Sequence, residues 1–204
     1  MSEEEVQLKI IILGEGRVGK TEILSKYFNK KFDEGQKNTI NPAFYEMTRE
    51  YQGKKVILKF WDTAGQEAFN AINTMYYQDA VGALLIYDVT IFETFEKVKC
   101  WVHTLQEAVG MDITLVIAGN KFDFADKNMI DKNKEKIDAY CAQQNCKHFY
   151  ISSRTGINLN EPFESLISSV LKKVIGSNAI GNKKSGRKLE IKEQTKTKKG
   201  KGCL

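Results

Sequence analysis

Proline is almost missing from this chain, with 2 residues in 204, and histidine is as rare, at His103 and His148. Neither histidine sits in a cluster of other ligating or nucleophilic side chains, so both are expected on a helix surface or in a loop rather than in catalysis. Cysteine occurs four times, at Cys100, Cys141, Cys146 and Cys203. Their spacing fits no metal site, and they are too few for a disulfide scaffold; reduced thiols of a cytosolic protein are expected. No long apolar run exists. The opening MSEEEVQLK is acidic and lacks the hydrophobic stretch of a secretory signal, while KIIIL and GALLIY are far too short to cross a bilayer. A basic core is missing too, although the net charge is +5. Nine Lys and Arg between Lys183 and Lys201 stand against Glu190 and Glu193, so residues 177–204 carry +7 and the rest of the chain −2. Nucleic acid is therefore not an expected partner.

What remains is the composition of an ordinary globule, 42% hydrophobic and 28% charged. A β-rich run over 7–13 precedes a glycine loop and a helix over about 20–28. AFYEMTREY, the turn Gln52-Gly53 and KKVILKFWD read as an antiparallel hairpin. A buried strand over 81–89, a helix over about 93–109, a strand over 113–119 and a helix near 131–144 follow. HFYIS then precedes a helix over about 162–175. In the helix over about 93–109, Phe95 and Trp101 fall at helical spacing and are expected in the core. Alternating strands and helices predict an α/β fold of the P-loop NTPase type, with a six-stranded, mostly parallel sheet, one antiparallel strand and about five helices on its two faces. Periodicity stops at Gly176. Residues 1–176 are expected to form one domain and 177–204 a disordered basic tail.

Chemistry concentrates in four loops. Gly14-Glu15-Gly16-Arg17-Val18-Gly19-Lys20-Thr21, with Glu22 behind it, fits G-x-x-x-x-G-K-[ST] between a strand and a helix. Such a loop turns successive N–H groups toward phosphate at a helix N-terminus. Lys20 brings a charge to the β- and γ-phosphates and Thr21 a hydroxyl to Mg²⁺. Arg17 lies inside the motif, yet it is expected to be a surface charge. WDTAGQE ends a strand: Asp62 suits a carboxylate that holds Mg²⁺ through water, Gly65 can offer its N–H to the γ-phosphate, and Gln66 can orient an attacking water. NKFD ends another. The Asp123 carboxylate can accept from guanine N1 and N2, a donor pair adenine lacks. Asn120 can hold the base edge and Lys121 can lie along the ring. After the last strand, backbone N–H groups of Ser152, Ser153 and Arg154 can meet the guanine oxygen. All these loops fall at strand C-terminal ends, where open α/β sheets bind ligands.

In that order the motifs resemble a small GTPase of the Ras superfamily, of the Rab family, over about residues 7–175. The resemblance implies that Thr39 is the switch threonine contacting Mg²⁺ and that Phe32 stacks on guanine. It further implies that Phe44, Trp61 and Tyr76 form an effector-binding patch. WDTAGQEAFNAINTMYY with Tyr76-Tyr77, the short stretch from Asp123 to Ser152, the basic tail and Ser2 separate the chain from the Rho, Ran and Arf families. GEGRVGKT, TINPAF and FEKVKCWVHTLQ look most like the endosomal branch, near Rab subfamily twenty-one. Asn41-Pro42 in place of a glycine, and Ala68 in place of an arginine, depart from the family pattern; neither touches the phosphate groups.

The implied activity is slow hydrolysis of GTP with Mg²⁺, acting as a switch in vesicle trafficking. Gln66 and Lys20 carry the catalysis, and no internal arginine finger is evident. Implied partners are an exchange factor, an activating protein, a GDP-dissociation inhibitor or escort protein and effectors, with the protein itself a monomer. Its place would be the cytosolic face of intracellular membranes, endosome first and Golgi second. The tail would be the membrane tether, with Cys203 as the lipidation candidate although its penultimate position is atypical. Two other readings stand at this point: a GTP-binding scaffold with impaired hydrolysis, and a P-loop kinase or ATPase, which NKFD disfavours.

Overall fold

The computed structural model describes residues 5–28, 43–62 and 76–176. Phe32, Thr39, Asn41, Pro42, Gly65, Gln66, Ala68, Cys203 and the tail lie outside the described residues, as does the side chain of Phe44. The element order is β1 (Glu5–Leu13), α1 (Lys20–Tyr27), β2 (Ala43–Tyr51), β3 (Lys54–Asp62), β4 (Ala80–Asp88), α2 (Glu93–Val109), β5 (Thr114–Asn120), α3 (Lys127–Gln143), β6 (Lys147–Tyr150) and α4 (Glu161–Leu171). The strands form one sheet in the order β2-β3-β1-β4-β5-β6. Only the β2–β3 pairing is antiparallel. Four α-helices appear among the described residues, against the five or so expected from the sequence.

β1 explains the architecture. Its run IIIL is buried on both faces, as a central parallel strand requires. Ile10 and Ile12 join Ile23, Leu24, Phe163, Leu166 and Val170 in one core, under α1 and α4. Ile11 and Leu13 join Phe95, Val98, Val102, Leu105 and Ile137 in the other, under α2 and α3. Each fully buried aliphatic side chain contributes about 1.5–3 kcal/mol. A strand feeding two cores thus fixes what surrounds it. β3 lies on one side of β1 and β4 on the other, so the chain reverses its winding at β1. A crevice opens there, above the strand C-terminal ends.

Local capping chemistry moved several boundaries. α3 starts at Lys127, not near 131, because the Asp126 carboxylate accepts from the Met129 N–H at 2.8 Å and caps the helix. α4 starts at Glu161 with Pro162 in its first turn, and its last turn widens into a π-helix over Lys172–Gly176. Phe95 is fully buried, while Trp101 is half-buried at the edge of the same core.

His103 sits on the exposed surface of α2, as expected. His148 does not lie on a helix surface or in a loop: it belongs to β6, stacked on Tyr87 with ring centroids 5.8 Å apart. Its Nε2 is 3.0 Å from the Tyr87 hydroxyl. Burial raises the Tyr87 pKa, so the phenol keeps its proton and can donate to a neutral imidazole. The same burial lowers the His148 pKa to about 4. The unfolded chain, with an ordinary histidine near 6.5, binds the proton more readily. Stability contributed by the neutral ring is therefore complete above pH 6.5 and falls as the pH drops toward 4, by about 3 kcal/mol. Denaturant unfolding at pH 7 and pH 4 checks this. His148→Phe should remove about that much of the pH dependence, and an unchanged slope would refute the assignment.

Candidate functional site

The loop after β1 is built around two glycines that no other residue can replace without strain. Gly14 has φ +148, and a Cβ there would lie 2.1 Å from the Ile86 carbonyl oxygen of β4. Gly19, at φ +97, is the residue before α1, and a Cβ there would meet Asn120 Nδ2 at 2.5 Å. No side chain caps α1. A helix N-terminus behind a glycine loop is the setting an anion site requires. Arg17 is exposed, at φ 65, in keeping with a surface charge. Val18 is buried, and Glu22 lies in the first turn of α1.

Lys20 is only 6% exposed. Its ammonium donates to the carbonyls of Gly14 at 2.6 Å and Glu15 at 2.9 Å, both in the same loop. The charge is held within the loop, and the Gly16 N–H donates to the Glu15 carboxylate at 3.4 Å. One residue on, the Thr21 hydroxyl donates to Asp62 Oδ2 at 2.6 Å, joining the start of α1 to the end of β3. A hydroxyl and a fully buried carboxylate side by side are a hard-oxygen donor set, which fits Mg²⁺. Magnesium bound there would neutralise phosphate charge and orient the triphosphate; Thr21 and Asp62 are the described residues that would hold it.

The second wall comes from β5 and β6. Asn120 is fully buried. Its Nδ2 donates to the Val18 carbonyl at 2.8 Å and to Ser153 Oγ at 3.1 Å, and its Oδ1 accepts from the Ser153 N–H at 2.9 Å. One amide thus ties together three loops far apart in sequence. Of the backbone donors expected to meet a base oxygen, the Ser153 N–H is engaged by Asn120 and the Ser152 N–H by the Ile157 carbonyl at 3.0 Å. Ser152 Oγ donates to Asp123 Oδ1 at 2.6 Å and accepts from the Thr155 N–H at 3.0 Å, which sets the plane of the carboxylate. Arg154 is exposed, its guanidinium over the Phe124 ring at 5.3 Å. The Arg154 carbonyl accepts from Lys26 of α1 at 2.6 Å, another tie across the crevice.

Sequence reasoning missed Asp88. Lys121, at φ 65, pairs through Nζ with Asp88 Oδ2 at 2.5 Å, while Asp88 Oδ1 accepts from the N–H and hydroxyl of Thr90. The buried carboxylate at the end of β4 is what aims Lys121. The only signal was D-x-T after an apolar strand, an Asx-turn pattern easily read as a strand end.

Of the aromatic patch, Trp61 and Tyr76 are half-buried and pack against the same core, while Tyr77 is buried. Lys9 lies over the Trp61 ring at 4.9 Å. Phe44 is the cross-strand partner of Trp61 in the β2–β3 register.

A phosphate loop, a hard-oxygen pair and a base loop with an oriented carboxylate converge on one crevice, and comparison with known proteins agrees with that chemistry. The sequence profile of the Ras family matches residues 9–172. The chain belongs to the Ras family. It is a Rab GTPase, similar to Ras-related protein Rab-21 of Geodia cydonium, with 35% identity over 166 residues covering 81% of this chain and 72% of that protein. Ras-related protein Rab-21 of Homo sapiens is 33% identical over 203 residues, covering 96% and 89%. The Mus musculus protein of that name is 35% identical over 178 residues, covering 87% and 78%. This small GTPase binds GTP and GDP and is a GTP hydrolase. Among the described residues no helix is long and apolar enough to cross a membrane.

Proposed function

We propose that this GTPase is a slow switch of vesicle trafficking, acting in the endosomal pathway. The observation that best supports the nucleotide half of this reading is the Asn120 amide, which holds the phosphate loop and the base loop in one register. In the proposed reaction water attacks the γ-phosphate in line, oriented by Gln66, while Lys20 and the loop N–H groups stabilise the developing charge. Thr39 and Gly65 would sense the γ-phosphate, and Phe32 would cover the base. Loss of the γ-phosphate would release both switch segments, so that the output is binding rather than product. An activating protein would supply what the site lacks, an exchange factor would reload it, and a dissociation inhibitor or escort protein would extract it from membrane.

Phe44, Trp61 and Tyr76 are the proposed effector patch. Its support is that Trp61 and Tyr76, which flank residues 63–75 in the sequence, pack on one core edge. We also propose residues 177–204 as a basic tether to anionic membrane, with Cys203 as its lipid acceptor. The similarity to proteins named Rab-21 supports the endosomal assignment.

Gln66→Leu tests the catalytic half. Single-turnover hydrolysis stimulated by an activating protein should fall by about a hundredfold or more, with GDP affinity unchanged. An unaltered rate would remove Gln66 from its role, and would favour the scaffold reading if the native rate were also negligible.

A further inference from the structure

The C-terminus of α3 carries a pair of thiols that the GTPase reaction does not use. The helix ends with Asn145 at φ 49, and two bonds close it: Asn145 N–H to the Ala142 carbonyl at 3.2 Å, and Cys146 N–H to the Cys141 carbonyl at 3.0 Å. This is the Schellman arrangement, in which the side chains flanking the reversal meet, usually as an apolar contact. Here the two that meet are Cys141 and Cys146. Cys141 is buried, and Cys146 is half-buried. Both line a cavity of about 470 Å³ bounded by the start of β5, the end of α3, Ser169 and Lys173. The cavity lies at the end of the sheet opposite the nucleotide crevice and gives a small solute a way to the sulfurs.

We propose that Cys141 and Cys146 are a reversible modification site, closing to an intramolecular disulfide when the protein meets a peroxide. The hydrogen bond from the Cys141 thiol lowers the Cys146 pKa, while that bond, burial and the Asp138 carboxylate raise that of Cys141. Cys146 is therefore the nucleophile. Its thiolate attacks one peroxide oxygen, the O–O bond breaks, and hydroxide leaves to become water, with Cys146 as sulfenic acid. The Cys141 sulfur then attacks the sulfenic sulfur, the S–S bond forms, the S–O bond breaks and a second water leaves. Two thiols lose two electrons and the peroxide gains them. A thiol reductant restores the pair. The backbone bond from Cys146 N–H to the Cys141 carbonyl sets the two residues side by side at one reversal, where a disulfide can close. This inference does not depend on the trafficking reading.

Cys100 is the internal comparison, being exposed with only a long contact to the Glu96 carbonyl at 4.0 Å. Lys136 and Lys147 flank the pair, so trypsin releases both cysteines on one peptide, residues 137–147. The full-length GDP-loaded protein is treated with graded hydrogen peroxide, alkylated, digested and weighed. Peptide 137–147 should appear without alkyl groups and two hydrogens lighter than its free dithiol form, at doses where Cys100 is still alkylated, and dithiothreitol should reverse the change. In Cys141→Ala, Cys146 should stop at sulfenic acid and be trapped by dimedone. Oxidation of Cys100 ahead of the pair would overturn the proposal, as would over-oxidation of Cys146 in the native protein without a disulfide.

Discussion

Asn120→Ala is expected to lower nucleotide affinity about a hundredfold while leaving a folded sheet. The native amide makes three hydrogen bonds in a fully buried position, to Val18 O, Ser153 Oγ and Ser153 N–H. A neutral hydrogen bond contributes about 1 kcal/mol net, and a buried group left unpaired costs about 1–3 kcal/mol. Loss of the hub thus amounts to about 3–5 kcal/mol. Part of it falls on the fold, and the larger part falls on holding the phosphate loop and the base loop in register for one ligand. At about 1.4 kcal/mol per factor of ten, some 3 kcal/mol gives the hundredfold. Titration with a fluorescent GDP analogue measures it, alongside thermal melting of the nucleotide-free protein. Asn120→Asp keeps the acceptor for Ser153 N–H and loses the donor to Val18, so it should fall between. Affinity within about fivefold of native would mean that the two loops hold their positions without Asn120.

Gly14→Ala is the largest stability change expected in the described residues. Its Cβ would lie 2.1 Å from a backbone oxygen of β4, and its φ is +148. Neither problem is relieved by a side-chain rotation, because the obstacle is the Ile86 carbonyl in the central sheet. Strained backbone and forced displacement together should cost about 3–5 kcal/mol. For a domain of this size that corresponds to a fall of roughly 6–20 °C in melting temperature. Gly53→Ala separates the two causes. Gly53 is also at positive φ, +73, but a Cβ there meets nothing within 4 Å. It should lose only about 1 kcal/mol. If both variants melted together, the contact with Ile86 would have no consequence and strain alone would account for Gly14.

The sheet, the phosphate loop and the preference for guanine could all be read from local stretches. Each rests on residues close together in the chain: an apolar run such as KIIIL, a glycine spacing, or an aspartate three residues after an asparagine. The α3 boundary was missed because a cap is decided by one side chain, Asp126, rather than by periodicity. His148 was misplaced because a lone histidine carries no signal of burial; its shelter is Tyr87, on a neighbouring part of the sheet two strands away. Asp88 was passed over because its partner, Lys121, comes from the next strand's end.

By itself the sequence determined the chemical groups offered at each strand end, the charge split between residues 1–176 and the tail, and the kind of nucleotide that fits. Local composition and spacing suffice for these, since they depend on residue type and immediate neighbours. Only the tertiary structure decided that Gly19 must lack a side chain because Asn120 rests on it, that Asp88 aims Lys121, and that Cys141 meets Cys146 across a helix end. Those are relations of distance and direction between backbone segments. They exist only after the two cores on either side of β1 have brought the loops to one edge.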